Sequence, residues 1–495
     1  MKKIFIATAL LLSCIMAGAE NLHITTQNIS LLLKADKGDK VRMLYFGSRL
    51  SEKDLPGLAS AGVPGTDIYP AYGQDVIREY ALAVKHSDGN MTLDLIVDFI
   101  TRDETSDYAL TTICLEDSIY PMRVFLNFKA FKDVDMIETW TEIQNLGKKP
   151  VELLKYDSCF LPVRVGDVWL SHLYGTWGNE GRLVEEPLNR GILTIKNKDG
   201  VRNSQTEHAE VMFSLDGKPR ENSGDVIGAA LCYSGNYELS VITKNSDYHY
   251  FTAGICSEAS AYPLQAKESF CTPEVALTFS KEGVGGASRN FHRWARSHKL
   301  AHGDRLRDIL LNSWEGVYFK INEPGMAKMM EDIAALGGEL FVMDDGWFGD
   351  KYPRLNDHTS LGDWTVDSNK LPSGVSGLVE TARRNGIKFG IWIEPEMANT
   401  ASELYEKHPE WIINAPNRDV IHGRGGTQVV LDMGNPLVQD YVFSIVDNLM
   451  TQNPGIAYIK WDANMDIRSH GSYYQRGDEQ SKLFIEYHRG LAAVC

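Results

Sequence analysis

Four short stretches carry side chains that could do chemistry. Asp344 and Asp345 are adjacent and run straight into Gly346-Trp347. Lys460 and Asp462 stand two apart in YIKWDAN, which places Asn464 just beyond them. Glu394 and Glu396 flank Pro395 in GIWIEPEM, after Trp392. Trp314-Glu315-Gly316 closes ILLNSWEG. Residues two apart on an extended chain share a face. Lys460 and Asp462 are therefore expected to point the same way, and an ammonium beside a carboxylate favours its ionised, nucleophilic form. Neighbours such as Asp344 and Asp345 cannot both face inward on a regular strand. Gly346 ends that strand, so the following loop can aim both carboxylates at one ligand.

Each residue alone has a plainer use. An aspartate at a strand end often caps the next helix. A lone inward Lys-Asp pair serves structure as readily as function, and single tryptophans are commonly core. What tips the balance is recurrence at successive strand ends. From Ile309 onward apolar strands alternate with helices: strands around Leu311, Phe341, Phe389, Val430 and Tyr458, with helices opened by Pro324 and Pro436, another near Gly377–Asn385 and a last one from about Glu479. Buried parallel strands each followed by a helix indicate a (β/α) barrel, whose catalytic groups sit at the C-terminal strand ends. The ends of the five expected strands are Trp314-Glu315, Asp344-Asp345, Trp392 with Glu394 and Glu396, Asp432, and Lys460-x-Asp462. Carboxylates in pairs accept hydrogen bonds from sugar hydroxyls and indoles stack on a pyranose face, so the pattern points to a sugar-cleaving site.

The elements before the barrel read differently. Runs such as MTLDLIVDFI and YPMRVFLNF are short, partly alternating, and separated by turns such as SDGN and LDGK. They indicate a layered β-sandwich over residues 20–290. FHRWARSHKL suggests a helical linker over 291–308, ahead of a barrel over 309–495. The start, MKKIFIATALLLSCIMAGAE, has a basic end, a short apolar run and an A-x-A site, so residues 1–19 are expected to be a signal peptide of a secreted, periplasmic protein. No other segment approaches the ~20 apolar residues of a membrane span. The formal charge, 50 − 66 = −16, argues against nucleic acid as a partner. Seven cysteines without C-x-x-C spacing and thirteen histidines without H-E-x-x-H give no metal signature. Gly283-Val-Gly285-Gly286 lacks the lysine of a phosphate loop.

Several ordered motifs together resemble glycoside hydrolase family 36, the bacterial α-galactosidases. These are DIYPAYGQDVIRE, LYGTWGNEGR, CYSGNYELSV and CTPEVALTFSKEGVGGASRNFHRW in the β region. In the barrel region they are ILLNSWEGVYF, DDGWFG, GDW with KLPSGV, GIWIEPEM and KWDAN. The resemblance implies an N-terminal β-supersandwich followed by a (β/α)8 TIM barrel. It implies a retaining glycosidase, without cofactor or metal, acting on α-galactoside oligosaccharides. By resemblance Asp462 is the nucleophile. Asp344 and Asp345 bind the O4 and O6 hydroxyls, Lys460, Trp314 and Trp392 line the same subsite, and Arg424 matches a family arginine; Asn464 completes the K-W-D-x-N core. The family also implies a homo-oligomer. Five strands where eight are needed lead to the expectation of an incomplete, C-terminally truncated barrel with its acid/base residue beyond Cys495 and little hydrolytic activity. The rival readings are an α-N-acetylgalactosaminidase or transglycosylase on the same scaffold, and a non-catalytic galactoside-binding protein.

Overall fold

The computed structural model describes residues 21–60, 66–73, 79–164, 166–201, 205–243 and 248–495, so the expected signal peptide at 1–19 lies outside the described residues. The chain divides into two compact units between Asp304 and Arg305, and the short run from Asp199 groups with the second.

The first unit is built from antiparallel strands. Among the described residues they form a four-stranded, a six-stranded and a ten-stranded sheet. Alternation does the sorting: in Met122–Phe131 and Ile137–Asn145 buried positions recur at every second residue, which is the signature of a sheet with one face in a core. The sheets meet through their inner faces. Phe213 of the ten-stranded sheet packs edge-on against Phe251 of the six-stranded one, with centroids 5.4 Å apart. Thr141 Oγ1 donates to the Ser158 carbonyl at 3.2 Å across the same layers.

Besides a short helix at Leu55–Ser60, the longer helix of this unit spans Gly283–Trp294 and continues as a π turn at Ala295–Lys299. It begins before the expected linker at 291, and GVGG forms its first turn. The glycines allow close approach: the Gly285 N–H donates to the Glu221 carbonyl at 3.0 Å, and a Cβ on Gly283, whose φ is +67°, would lie 2.1 Å from the Arg220 oxygen. Further on, Glu138, fully buried, accepts from Trp294 Nε1 at 3.0 Å and pairs with Lys299 at 2.8 Å and Lys129 at 3.1 Å.

The second unit holds a parallel sheet in the order Leu310–Asn312, Leu340–Met343, Lys388–Ile393, Ile456–Trp461. LFVM is wholly buried and KFGIWI nearly so, as strands covered on both faces must be. Helices Glu323–Ala335 and Gly374–Arg384 fill the first two crossovers, and Pro436–Gln452 lies in the third. Their starts follow from the sequence. Asn322 accepts from the Gly325 N–H at 2.9 Å and Asn435 from that of Leu437 at 3.0 Å, each just before a proline in the first turn.

The expected five barrel strands are four among the described residues. Gln428–Val430 does not join the parallel sheet. It pairs antiparallel with Met397–Asn399 in a separate ribbon, and Ile456–Trp461 lies directly beside Lys388–Ile393. A short buried apolar run looks the same in either setting, because periodicity reports burial and not the pairing partner.

Candidate active site

The ends of the four parallel strands are stitched together by charged side chains. Asp344 follows the second strand and is 2% exposed. Its Oδ2 accepts from Asn312 Nδ2 of the first strand at 2.7 Å and from Lys460 Nζ of the fourth at 2.8 Å. Its Oδ1 accepts from the Asp345 N–H at 2.8 Å. One carboxylate thus links three strand ends. The lysine was expected to serve Asp462, and here the structure differs: Lys460 pairs with Asp344. Sharing a face with Asp462 did not decide the matter, because a long lysine stem reaches across the sheet to a carboxylate on another strand.

Asp345 turns the other way, as Gly346 permits. The glycine has φ of +112°, and a Cβ there would lie 3.0 Å from the Phe319 Cα. Asp345 is 4% exposed and meets Arg354, 2% exposed, in a forked contact: Nε to Oδ1 at 2.9 Å and Nη2 to Oδ2 at 2.7 Å. Burial pushes the Asp345 carboxyl above its usual range against the pull of Arg354. Removing one partner of such a buried pair typically costs about 3–5 kcal/mol. Phe319 and Phe348 lie 5.4 and 5.8 Å from the guanidinium carbon. The two adjacent aspartates are therefore held by different cations.

Asp462 comes one residue after the fourth strand and is half-buried. Its own N–H donates to the Ile393 carbonyl at 2.9 Å, which extends the pairing with the third strand. Its Oδ2 accepts from Trp392 Nε1 at 2.9 Å and its Oδ1 from the Ala463 N–H at 2.9 Å. Two N–H donors fix the carboxylate plane. Trp392 is itself 2% exposed and sits in an aromatic cluster with Phe348 and Trp364, and Trp347 donates to its carbonyl at 3.0 Å. Its ring is core, and only its indole N–H serves the site. Trp314 opens a helical turn at Trp314–Val317 and is half-buried, edge-on to Tyr318 and Phe319.

Glu394 and Glu396 lie behind these groups, each 2% exposed. Glu394 Oε1 accepts from the Asn464 N–H at 2.5 Å. Burial, and then the Asp462 charge, push its carboxyl up to about 8. Glu396 accepts from Trp461 Nε1 at 2.7 Å and from the Tyr487 hydroxyl; burial raises it too. Arg424 sits on a turn at Arg424–Gly426, its side chain 40% exposed, with Nε 3.4 Å from Asp357 Oδ2. Asp432 serves its loop, accepting from Ser472 Oγ at 2.5 Å and the Gly434 N–H at 3.0 Å. The residues that sequence reasoning missed are Asn312, Arg354 and Asp357. Arg354 and Asp357 stand in the polar run DKYPRLNDHTS, which reads as a solvated loop. Among the described residues no cluster of His, Cys, Asp and Glu suited to a metal ion occurs, and no helix is long and apolar enough to cross a membrane.

Residues 39–265 match the family model for the glycosyl hydrolase family 36 N-terminal domain, and residues 269–495 match the Melibiase model. The chain belongs to glycoside hydrolase family 36. Alpha-galactosidase AgaA of Geobacillus stearothermophilus is 32% identical over 446 residues, covering 86% of this chain and 60% of that protein. Alpha-galactosidase Mel36A of Lactobacillus acidophilus is 29% identical, covering 94% of this chain and 67% of its own. The crystal structure of the Geobacillus family 36 enzyme superposes with a TM-score of 0.89 at 29% identity, over 96% of this chain and 70% of that one. Variants of that enzyme have been crystallised with stachyose and with raffinose. This family 36 chain thus spans 60% of the length of the first relative and 70% of the solved one. Its N-terminal β-sandwich and parallel-stranded second unit are those of the family.

Proposed function

We propose that this protein is a retaining α-galactosidase that removes terminal non-reducing α-D-galactosyl groups from oligosaccharides. One observation carries the reading: the Asp462 carboxylate is fixed by two N–H donors, at a strand end next to the Asp344–Lys460 pair. In this reading Asp462 attacks the anomeric carbon and the glycosidic C–O bond breaks, leaving a galactosyl ester on the enzyme. Water then cleaves the ester with a second inversion, so configuration is retained. Asp344 and Asp345 accept hydrogen bonds from sugar hydroxyls, Lys460 donates to one, and Arg424 closes over the same ring. Burial keeps the proton on Glu394, the carboxyl that lies behind Asp462. Asp344 and Asp345 are each held by a cation, and Glu394 and Glu396 are buried with partners of their own. We therefore assign the proton donor for the leaving oxygen to none of these four.

The test follows from that assignment. A 2-deoxy-2-fluorogalactosyl fluoride loses fluoride without protonation and reports the nucleophile alone. Incubation with the chain is expected to add one fluorogalactosyl group to the peptide containing Asp462, and Asp462→Asn to abolish it. No label, or label on another carboxylate, would overturn the reading; galactose binding without label would favour the non-catalytic binder. We also read the protein as a homo-oligomer, supported by aromatic side chains left open on the β-sheet unit, Trp177 at 82% and Tyr72 at 40% exposure. Sedimentation as a single monomeric species would refute this.

A further inference from the structure

Arg354 has more partners than Asp345. Its Nη1 donates to the Thr359 carbonyl at 2.9 Å and to Asn399 Oδ1 at 3.1 Å. Its Nη2 also lies 3.6 Å from Asp357 Oδ1. The other oxygen of Asp357 is the one that faces Arg424, at 3.4 Å. The result is an alternating chain of four charges, Asp345, Arg354, Asp357 and Arg424. It runs outward from a fully buried carboxylate to a guanidinium 40% exposed. The backbone follows the same path. His358 Nδ1 bonds the Gly425 carbonyl at 2.5 Å, and Thr427 Oγ1 donates to the His358 carbonyl at 2.9 Å. Asn399 Nδ2 donates to the Asp357 carbonyl at 2.9 Å and to Thr427 Oγ1 at 3.0 Å. Gly425, with φ of +65°, lets the turn approach, since a Cβ there would lie 3.0 Å from the Asp357 oxygen.

We propose that Arg354 and Asp357 are positioning residues that couple Arg424 to Asp345, so that the exposed guanidinium and the buried carboxylate grip the sugar as one unit. The inference rests on the galactoside-site reading above. A carboxylate has about four lone-pair directions. The planar fork of Arg354 occupies two on Asp345 and fixes where the others point. Asp357, shared by both arginines, places Arg424 at a set distance from that carboxylate. Groups linked through one shared partner act non-additively.

The test is a double-mutant cycle read in the kinetics of fluorogalactosyl labelling, which separate binding (KI) from the bond-forming rate (kinact). Asp357→Asn and Arg424→Gln are each expected to raise KI roughly tenfold with kinact unchanged, and the double variant to raise it no further than the worse single. Arg354→Lys, which keeps the charge and loses the fork, is expected to raise KI too, and Asp357→Glu to restore part of the grip. A double variant weakened about a hundredfold, as independent sites require, would overturn the coupling. So would a lowered melting temperature with KI unmoved, which is the mark of a purely structural Asp357. If Arg354→Lys does not fold, the cycle between Asp357 and Arg424 decides alone. A parent chain that takes no label would sink the galactoside reading and this inference with it. A labelled parent with an additive cycle sinks the inference only.

Discussion

Glu394 is a carboxyl group kept out of water, 2% exposed under the Asn464 N–H and pushed up to about 8 by burial and by Asp462. A carboxyl raised in the folded state holds its proton where the unfolded chain has already lost it. Between the unfolded value near 4.3 and the folded value the native state binds more protons, so stability falls as pH rises. Glu394→Gln stays neutral throughout. Relative to the parent it should gain stability from about pH 5 to about pH 8, by at most about 1.4 kcal/mol per pH unit. Urea midpoints of both proteins across that range give the difference, and a constant difference would rule the buried proton out. At this scale the sequence told residue type and place. Asp462, Asp344 and Asp345 stand at strand ends as their surroundings suggested. It did not tell pairings. Lys460 chose Asp344 because that carboxylate lies across the sheet, and the distance follows from strand order. Arg354 was invisible for another reason: an arginine in a polar loop reads as solvated, since charged residues are almost never fully buried unless paired.

Between elements, Glu396 is the clasp. It ends the third strand's approach to the site and holds Trp461, the residue between Lys460 and Asp462, at 2.7 Å. Its other oxygen takes the hydroxyl of Tyr487 from the helix Leu483–Val494. Tyr487→Phe leaves that buried oxygen without its donor, which should lower stability by about 1–3 kcal/mol. Because Glu396 is then held from one side only and grips Trp461 less firmly, galactosyl labelling of Asp462 should slow as well. An unchanged urea midpoint would show that the bond adds nothing. Two helix starts were legible here, at Pro324 and Pro436; the short helix Glu403–Lys407 was not read from the sequence. Ser402 caps Glu403–Lys407 by accepting from the Tyr405 N–H at 3.1 Å. The Val430 strand was legible as a strand and misplaced as to sheet. Nothing in QVVLDMGNP distinguishes a barrel strand from a ribbon strand that pairs with Met397–Asn399.

For the whole chain, the change from alternating strands to continuous apolar strands with helices showed a sandwich followed by a barrel-type unit. What a linear reading could not show is the run at Asp199, which belongs with the second unit. Its Gly200 carbonyl accepts from His488, 288 residues later, at 2.7 Å, and its Asp199 carbonyl from the Ile467 N–H at 3.1 Å. No local pattern records a contact of that span. The ion pairs at the strand ends have one more consequence. Asp344 cancels Lys460, Asp345 cancels Arg354, and Asp357 cancels Arg424. Asp462 has N–H dipoles around it and, among the described residues, no cation paired with it. Within this set the paired side chains offset one another, which leaves the Asp462 carboxylate as the member held by dipoles alone; in the proposed reaction that is where the positive charge growing on an anomeric carbon would be answered.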